Sequence, residues 1–148
     1  MIKRILFLTL ITSTILLAFS FTTNKKSSEN NNAKGGIVFF NGTWKEALAK
    51  AKAENKIIFL DIYATWCGPC KKLKAKSFAS AKVGTYFNEK FINLTLDGEE
   101  GEGIILAEKY RLQAYPTLLF IDGDGIVKKA AVGYYNPSEL LSLGKSAK

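Results

Sequence analysis

A single pair of cysteines, Cys67 and Cys70, follows a predicted buried strand and begins a predicted helix, and this junction constrains the fold most strongly. The strand is predicted at residues 57–63, where a nearly continuous run of apolar, β-branched and aromatic side chains is typical of burial on both faces. Pro69 suits the first turn of the helix, where a missing N–H matters little. The two cysteines can therefore close a small disulfide at a strand-to-helix junction.

The rest of the composition excludes several kinds of site. The chain has 2 cysteines and no histidine, which rules out Ser-His-Asp and Cys-His catalysis. Zinc needs about four ligands, and the set is incomplete here unless carboxylates or a second chain contribute. A purely stabilising bridge is also disfavoured, because so short a loop removes little entropy from the unfolded chain. We therefore expect a redox-active pair and no metal.

The position of each cysteine predicts its role. If Cys67 lies at the helix start, its sulfur faces unpaired N–H groups and the positive end of the helix dipole, which favours the attacking thiolate. Cys70, one turn further on, is expected to be more deeply buried and to resolve a mixed disulfide. Asp61 interrupts the buried run, so desolvation should raise its pKa and let it exchange a proton with a nearby thiol. The alternative is an exposed aspartate at a strand end.

The order of predicted elements indicates an α/β fold with one central mixed β-sheet flanked by helices. The length of 148 residues fits one domain with a short extension. Asn41-Gly42-Thr43 is expected to start a helix that runs up to Asn55. The other expected elements are one or two helices with a break around residues 77–81, a strand at 91–96, an acidic loop at 97–103, a helix at 104–110, strands at 118–121 and 126–132 around a turn, and a terminal helix started by Asn136-Pro137-Ser138.

The amino-terminal segment has the layout of an export signal. A positive start at residues 1–4, an apolar run at 5–18 and small residues near Ser20 predict a signal peptide over residues 1–20, or an uncleaved anchor. Residues 21–36 are rich in Asn, Ser, Lys and Gly and are expected to form a disordered linker. The folded domain is then 37–148. We expect an exported protein of the periplasm or cell envelope, either released or tethered by the uncleaved segment.

The net charge of +8 does not by itself indicate nucleic-acid binding. The lysines are scattered apart from a local run at Lys71, Lys72, Lys74 and Lys76, and no base-reading motif is present. We expect solvated surfaces with some electrostatic steering of acidic partners, and no nucleic-acid partner.

Several residues together resemble those of thioredoxins. The segment from Trp66 to Lys71 reads Trp-Cys-Gly-Pro-Cys-Lys and resembles the thioredoxin active site. Asp61 stands where thioredoxins keep their buried acid, Tyr115-Pro116-Thr117 is similar to the loop that carries their cis-proline, and Gly133 resembles the glycine beside the substrate groove. The resemblance covers roughly residues 44–143 and implies a thioredoxin fold.

The predicted helix over residues 44–52, followed by Asn55-Lys56 and the strand, resembles the exported thioredoxin-like branch, which includes the periplasmic terminal domain of transmembrane thiol reductases. This implies a protein-disulfide reductase in which Cys67 attacks, Cys70 releases the product and Asp61 manages the proton. We also expect a monomer that acts on protein thiols and disulfides and needs no organic cofactor, since the Cys67–Cys70 disulfide is the redox-active group. Because the exported space lacks the cytoplasmic reductants, we expect a membrane thiol reductase to re-reduce the pair. The implied substrate-binding residues are Trp66, Gly68, Pro69, Tyr115, Pro116 (cis), Thr117 and Gly133.

Two other kinds of function stay open. The same chemistry could serve a thiol oxidase or a disulfide isomerase, and the groove near Pro116 could belong to a non-catalytic peptide-binding module.

Two features depart from the family pattern. Asn93 stands at the position of the lysine that accompanies the acid in many thioredoxins. The segment 98–103 is longer and more acidic than in a minimal thioredoxin, and we expect a solvated loop or a role in partner selection.

Overall fold

The computed structural model describes residues 35–147. The predicted signal peptide and almost all of the predicted linker lie outside this range. Within it, no helix is both long enough and apolar enough to cross a membrane. The helices are α1 Trp44–Glu54, α2 Gly68–Lys72, a π-helix Leu73–Phe78, α3 Ala81–Lys90, α4 Gly101–Lys109 and α5 Pro137–Lys145. The strands are β1 Ile57–Tyr63, β2 Phe91–Asp97, β3 Thr117–Ile121 and β4 Val127–Val132.

The four strands form one mixed sheet in the order β2-β1-β3-β4. β1 runs parallel to β2 and antiparallel to β3, and β4 is antiparallel to β3. The predicted mixed sheet with flanking helices is thus confirmed. The register of the central strand places Asp61 between Thr95 of β2 and Leu118 of β3.

Helices cover the sheet on both faces, which explains the continuous apolar run of β1. One face packs aliphatic side chains against α1 and α4, with Ile58, Leu60 and Ile62 of β1 at its centre. The other face holds an aromatic cluster beneath the π-helix, α3 and α5, in which the rings of Phe59 and Phe87 lie edge to face at 4.8 Å between centroids. Because both faces are apolar, the alternation that marks a half-buried strand is absent.

The helix starts follow their capping residues. The Thr43 hydroxyl accepts a hydrogen bond from the backbone N–H of Glu46, whose carboxylate accepts from Thr43 N, which is a complete capping box at α1. Asn136 and Glu139 form the same box at α5, with Pro137 in its first turn. Each box pairs N–H groups that a helix start otherwise leaves unsatisfied. The predicted starts of both helices are confirmed.

The predicted boundary between the acidic loop and the next helix is wrong. α4 begins at Gly101, three residues before the predicted start at Ile104, and β2 runs on to Asp97. The first turn of α4 is held from another element, because the Glu102 carboxylate accepts a hydrogen bond of 2.9 Å from the backbone N–H of Trp44. Gly103 lets this turn lie against the strand end, since a Cβ there would sit 1.7 Å from the carbonyl oxygen of Asp97.

The described chain begins with a close backbone contact. The carbonyl oxygen of Gly36, the last residue of the predicted linker, accepts a hydrogen bond of 3.2 Å from the Asn88 side chain on α3. A Cβ on Gly84 would lie 2.3 Å from that same oxygen, so α3 accepts this contact only at a glycine. The following segment runs beside β2, where Phe40 N donates to Asn93 O at 2.7 Å.

Candidate active site

Cys67 and Cys70 form a disulfide at the start of α2, with their Cα atoms 5.3 Å apart. Cys67 is the residue that caps this helix, and its Sγ accepts a hydrogen bond of 3.1 Å from the backbone N–H of Cys70. The predicted position of Cys67 at the helix start is therefore confirmed. A negative charge on this sulfur would be stabilised by that N–H group and by the positive end of the helix.

The expected order of burial of the two cysteines is wrong for the disulfide form. Cys67 is 2% exposed and Cys70 is 7% exposed, so the first cysteine is the better covered one. Both cysteines lie in a small cluster with Ala64, and the rings of Tyr63 and Tyr115 pack against this cluster. The prediction used only the position of each cysteine along the helix. It did not include packing against these rings.

Trp66 is the exposed neighbour of the disulfide and is held by an acidic side chain. Its side chain is 67% exposed, and its ring stands edge to face with Tyr115 at 6.1 Å between centroids. The indole Nε1–H lies 3.0 Å from each carboxylate oxygen of Glu99. A Cβ on Gly98 would lie 2.6 Å from the Tyr115 ring, so the acidic segment lies directly against this aromatic pair.

Glu99 was missed as a site residue by sequence reasoning. The available signal was the acidic segment itself, which departs from the family pattern but does not show which carboxylate contacts Trp66. Burial, together with the negative charges of Glu99 and Asp97, raises the pKa of Tyr115. The phenol therefore stays neutral near the disulfide at physiological pH.

Asp61 is buried, and the alternative of an exposed strand-end aspartate is wrong. It is 4% exposed, and its Oδ2 accepts a hydrogen bond of 2.9 Å from the Thr95 hydroxyl. Its other oxygen, Oδ1, has no hydrogen-bond partner among residues 35–147. Burial raises the pKa of Asp61 to about 7, against the opposing effects of the Thr95 hydrogen bond and the charge of Lys74. A group with this pKa is protonated and ionised in comparable amounts near neutral pH.

The polar neighbour of Asp61 is Thr95 and not Asn93. Asn93 pairs in register with Phe59, and its side-chain NH₂ donates to Val38 O at 3.3 Å and to Asn88 Oδ1 at 3.1 Å. The side chain at the position of the family lysine therefore contacts the segment before α1 and helix α3, and not Asp61. Thr95 was missed because a threonine in a strand carries no signal until the register with β1 is known.

The remaining predicted substrate-binding residues gather around the proline loop and the start of α2. The Tyr115–Pro116 peptide bond is cis, as the resemblance implied. Thr117 Oγ1 donates to Ala114 O at 2.7 Å, and Gly133 N donates to Pro116 O at 2.8 Å, which joins the end of β4 to this loop. Gly68 and Pro69 are exposed between the cysteines. The structure places these residues without testing their roles, so substrate binding stays a prediction for them.

Comparison with known proteins decides the family. A family model described as thioredoxin-like matches residues 40–123, which is more than half of the chain. The chain belongs to the thioredoxin-like family.

Relatives of this thioredoxin-like chain include proteins named thioredoxin and thiol:disulfide interchange protein. Thioredoxin of Echinococcus granulosus is 46% identical over 74 residues, which cover 50% of this chain and 64% of that protein. The thiol:disulfide interchange protein DsbD of Tatumella citrea is 28% identical over 95 residues, covering 62% of this chain and 16% of DsbD. The chain therefore spans less than two thirds of the length of these curated relatives.

A solved structure covers more of the thioredoxin-like chain. A solution structure from Bacteroides thetaiotaomicron, described as a candidate disulphide-isomerase, is 45% identical with a TM-score of 0.68. The match covers 76% of this chain and 93% of that one. The thioredoxin-like assignment thus rests on a match across nearly the whole of a solved domain as well as on the family model.

Proposed function

We propose that this chain is a thiol:disulfide oxidoreductase of the cell envelope that reduces protein disulfides through Cys67 and Cys70. The observation that carries the proposal is the position of the Cys67 sulfur, which caps α2 and accepts the Cys70 N–H. This position stabilises the thiolate, and the thiolate is the form that attacks a disulfide. Relatives named thiol:disulfide interchange protein support the same chemistry.

The two cysteines supply both electrons that the reduction of a substrate disulfide requires. In the reduced protein, the Cys67 thiolate attacks one sulfur of a substrate disulfide, which forms a mixed disulfide and releases the other substrate sulfur as a thiolate. Cys70 then loses its proton, attacks the Cys67 sulfur and releases the second substrate thiolate. Two electrons pass to the substrate, and the Cys67–Cys70 disulfide remains. Asp61, with its pKa at about 7, accepts the Cys70 proton in this scheme.

The substrate is a protein that lays its backbone along the surface between Trp66 and Pro116. Trp66 offers an exposed aromatic face, while Gly68 and Pro69 leave the approach to the disulfide free of bulky side chains. Thr117 and Gly133 hold the proline loop through their hydrogen bonds. The protein uses no organic cofactor, acts as a monomer and receives electrons from a membrane thiol reductase after export under its amino-terminal signal.

Oxidation or isomerisation is the second candidate function. It is supported by the 45% identity with the structure described as a candidate disulphide-isomerase. The residues of the site are the same in either case, because the direction of exchange depends on the redox potential and on the available partners. A non-catalytic peptide-binding module is the third, and it would use the same surface near Pro116.

The deciding experiment is the equilibrium redox potential of the Cys67–Cys70 pair in the full chain, measured in defined thiol buffers. A value around −270 mV supports a reductant, and a value nearer −120 mV overturns the direction and favours an oxidant. If the pair does not cycle, the oxidoreductase proposal fails. Cys67→Ser separates the remaining possibilities, since a binding module keeps its peptide affinity in this variant whereas an oxidoreductase loses turnover.

A further inference from the structure

Thr95 supplies the hydrogen bond that orients the buried Asp61 carboxyl group. The two residues are direct partners in the parallel pairing of β1 with β2. The Thr95 Oγ1–H donates to Asp61 Oδ2 at 2.9 Å. Because both residues lie within paired strands, the hydrogen-bonded pairing of β1 with β2 fixes the positions of their Cα atoms. The hydrogen bond therefore follows from the strand register rather than from a mobile loop.

The two oxygens of Asp61 consequently differ. Oδ2 accepts from Thr95, whereas Oδ1 is buried and has no partner in the described part of the chain. In a protonated carboxyl group, the carbonyl oxygen is the better acceptor and the hydroxyl oxygen carries the proton. The oxygen that accepts from Thr95 is then the carbonyl oxygen, and the proton resides on Oδ1.

We propose that Thr95 is a positioning residue for Asp61, which holds Oδ2 in place so that Oδ1 is the oxygen that takes up and releases the proton. The part of this inference that concerns turnover rests on the proposed oxidoreductase function. The part that concerns the carboxyl group itself does not. Nothing in the motif from Trp66 to Cys70 predicts it, since Thr95 lies on a different strand.

Burial raises the pKa of Asp61, and the hydrogen bond from Thr95 opposes this effect. A donor to a carboxylate stabilises the charged form, whereas burial destabilises it. The other charged or titratable groups around Asp61 are Lys74 on the π-helix, whose charge favours the carboxylate, and Tyr63 on β1, whose pKa is raised by burial and by charges that include Asp61. From β3 the register partner is Leu118, which is apolar. Loss of the Thr95 hydroxyl leaves Lys74 as the main group favouring ionisation.

The test is a pH titration of the Asp61 side-chain carboxyl carbon by NMR in the oxidised full chain, assigned with Asp61→Asn. Thr95→Val keeps the shape and the strand preference of threonine but removes the donor. We expect its midpoint to rise by about one pH unit, a tenfold gain in proton affinity, because hydrogen bonds to charged groups are among the stronger ones. Thr95→Ser restores a hydroxyl and should return the midpoint towards that of the wild type.

Two further variants keep the test decisive. Thr95→Ala removes the same donor with a smaller side chain and replaces Thr95→Val if the latter does not fold. Ser77→Ala removes another buried hydroxyl, which donates to Tyr135 O and not to Asp61, and should leave the Asp61 midpoint in place. An unchanged midpoint in Thr95→Val or Thr95→Ala overturns the proposal. So does an equal rise in Ser77→Ala, since the effect would then not depend on the hydrogen bond.

A second readout separates this inference from the proposed function. The rate of reduction of the Cys67–Cys70 disulfide by a small dithiol is followed against pH in the same variants. If both the titration and the rate profile shift in Thr95→Val and return in Thr95→Ser, Thr95 positions the acid for exchange. If the titration shifts but the protein exchanges no disulfides with any protein substrate, the positioning of Asp61 stands and the proposed function fails.

Discussion

The indole nitrogen of Trp66 lies 3.0 Å from both carboxylate oxygens of Glu99. This contact joins the residue before Cys67 to the segment after β2, 33 positions further along the chain. Trp66 is highly exposed, so this hydrogen bond, together with the edge-to-face contact with Tyr115, restricts the rotamers of its ring beside the disulfide. The acidic segment therefore contributes to the surface around the disulfide.

Replacement of Glu99 by alanine should release Trp66. In Glu99→Ala, we expect acrylamide to quench the fluorescence of Trp66 at least about twofold more efficiently than in the parent protein. The reason is that the ring has lost a hydrogen bond to a charged acceptor. The measurement uses a Trp44→Phe background, since the chain has only two tryptophans. Glu99→Gln retains an acceptor oxygen and serves as the matched control. Equal quenching in the alanine, glutamine and parent proteins would contradict a fixed Trp66.

Asp61→Asn should stabilise the protein at high pH. The pKa of Asp61 is raised by burial from 3.8 to about 7, so the folded chain binds more protons than the unfolded chain between these values. Stability is then lost as pH rises from about 4 to about 7. The asparagine variant lacks this penalty and should be more stable than the wild type by up to about 4 kcal/mol at pH 8, with a difference near zero at pH 4.

Denaturant unfolding of the oxidised proteins at several pH values measures this difference. Glu108→Gln neutralises an exposed carboxylate on α4 and should show no comparable trend. A constant difference between Asp61→Asn and the wild type across the pH range would indicate that the effect comes from packing rather than from ionisation.

Gly103→Ala should destabilise the start of α4 much more than Gly101→Ala. A Cβ at position 103 would lie 1.7 Å from the Asp97 carbonyl oxygen, a backbone atom that cannot move without disturbing β2. We expect a loss of about 3 kcal/mol, at the upper end for overpacking. At Gly101, which has φ +51° and where a Cβ would meet no atom within 4 Å, the cost should be about 1 kcal/mol. Thermal unfolding of both variants makes the comparison, and equal losses would refute the close approach.

Cys70→Ser should accumulate mixed disulfides with protein substrates. Its Cys67 can still attack, but no second thiol is left to release the product, so the covalent intermediate persists. Non-reducing electrophoresis should show adducts that disappear on addition of a dithiol. The double variant Cys67→Ser/Cys70→Ser is the control and should form none. Absence of adducts in Cys70→Ser at a pH where Cys67 is ionised would argue against Cys67 as the attacking group.

The sequence was sufficient wherever a pattern is local. β1 was predicted over the same residues that the structure assigns, because burial on both faces leaves an uninterrupted apolar run. The starts of α1 and α5 followed from capping residues a few positions away. The cysteine pair, Asp61 and the cis Pro116 could be located because the motif and its resemblance fix their positions in the chain.

The errors arose where a contact joins distant segments. The early start of α4 depends on Glu102 and Trp44, 58 positions apart, and the glycines on either side of Glu102 disfavour a helix locally. The hydrogen bond between Thr95 and Asp61 depends on strand register, which the pattern of neither strand specifies alone. The cluster that contains Cys67 and Cys70 packs against the Tyr115 ring, which comes from the loop before β3.

The capping role of the Cys67 sulfur bears on how such chains evolve, because it is separate from the proposed role of this sulfur in disulfide exchange. Serine is among the preferred residues at a helix cap, so a cysteine-to-serine change at this position keeps an acceptor for the Cys70 N–H. A single substitution at this position would therefore remove the reactive sulfur while leaving the fold and the surface around Trp66 unchanged. Redox-inactive descendants would be recognised by a serine at position 67 next to a retained tryptophan at position 66.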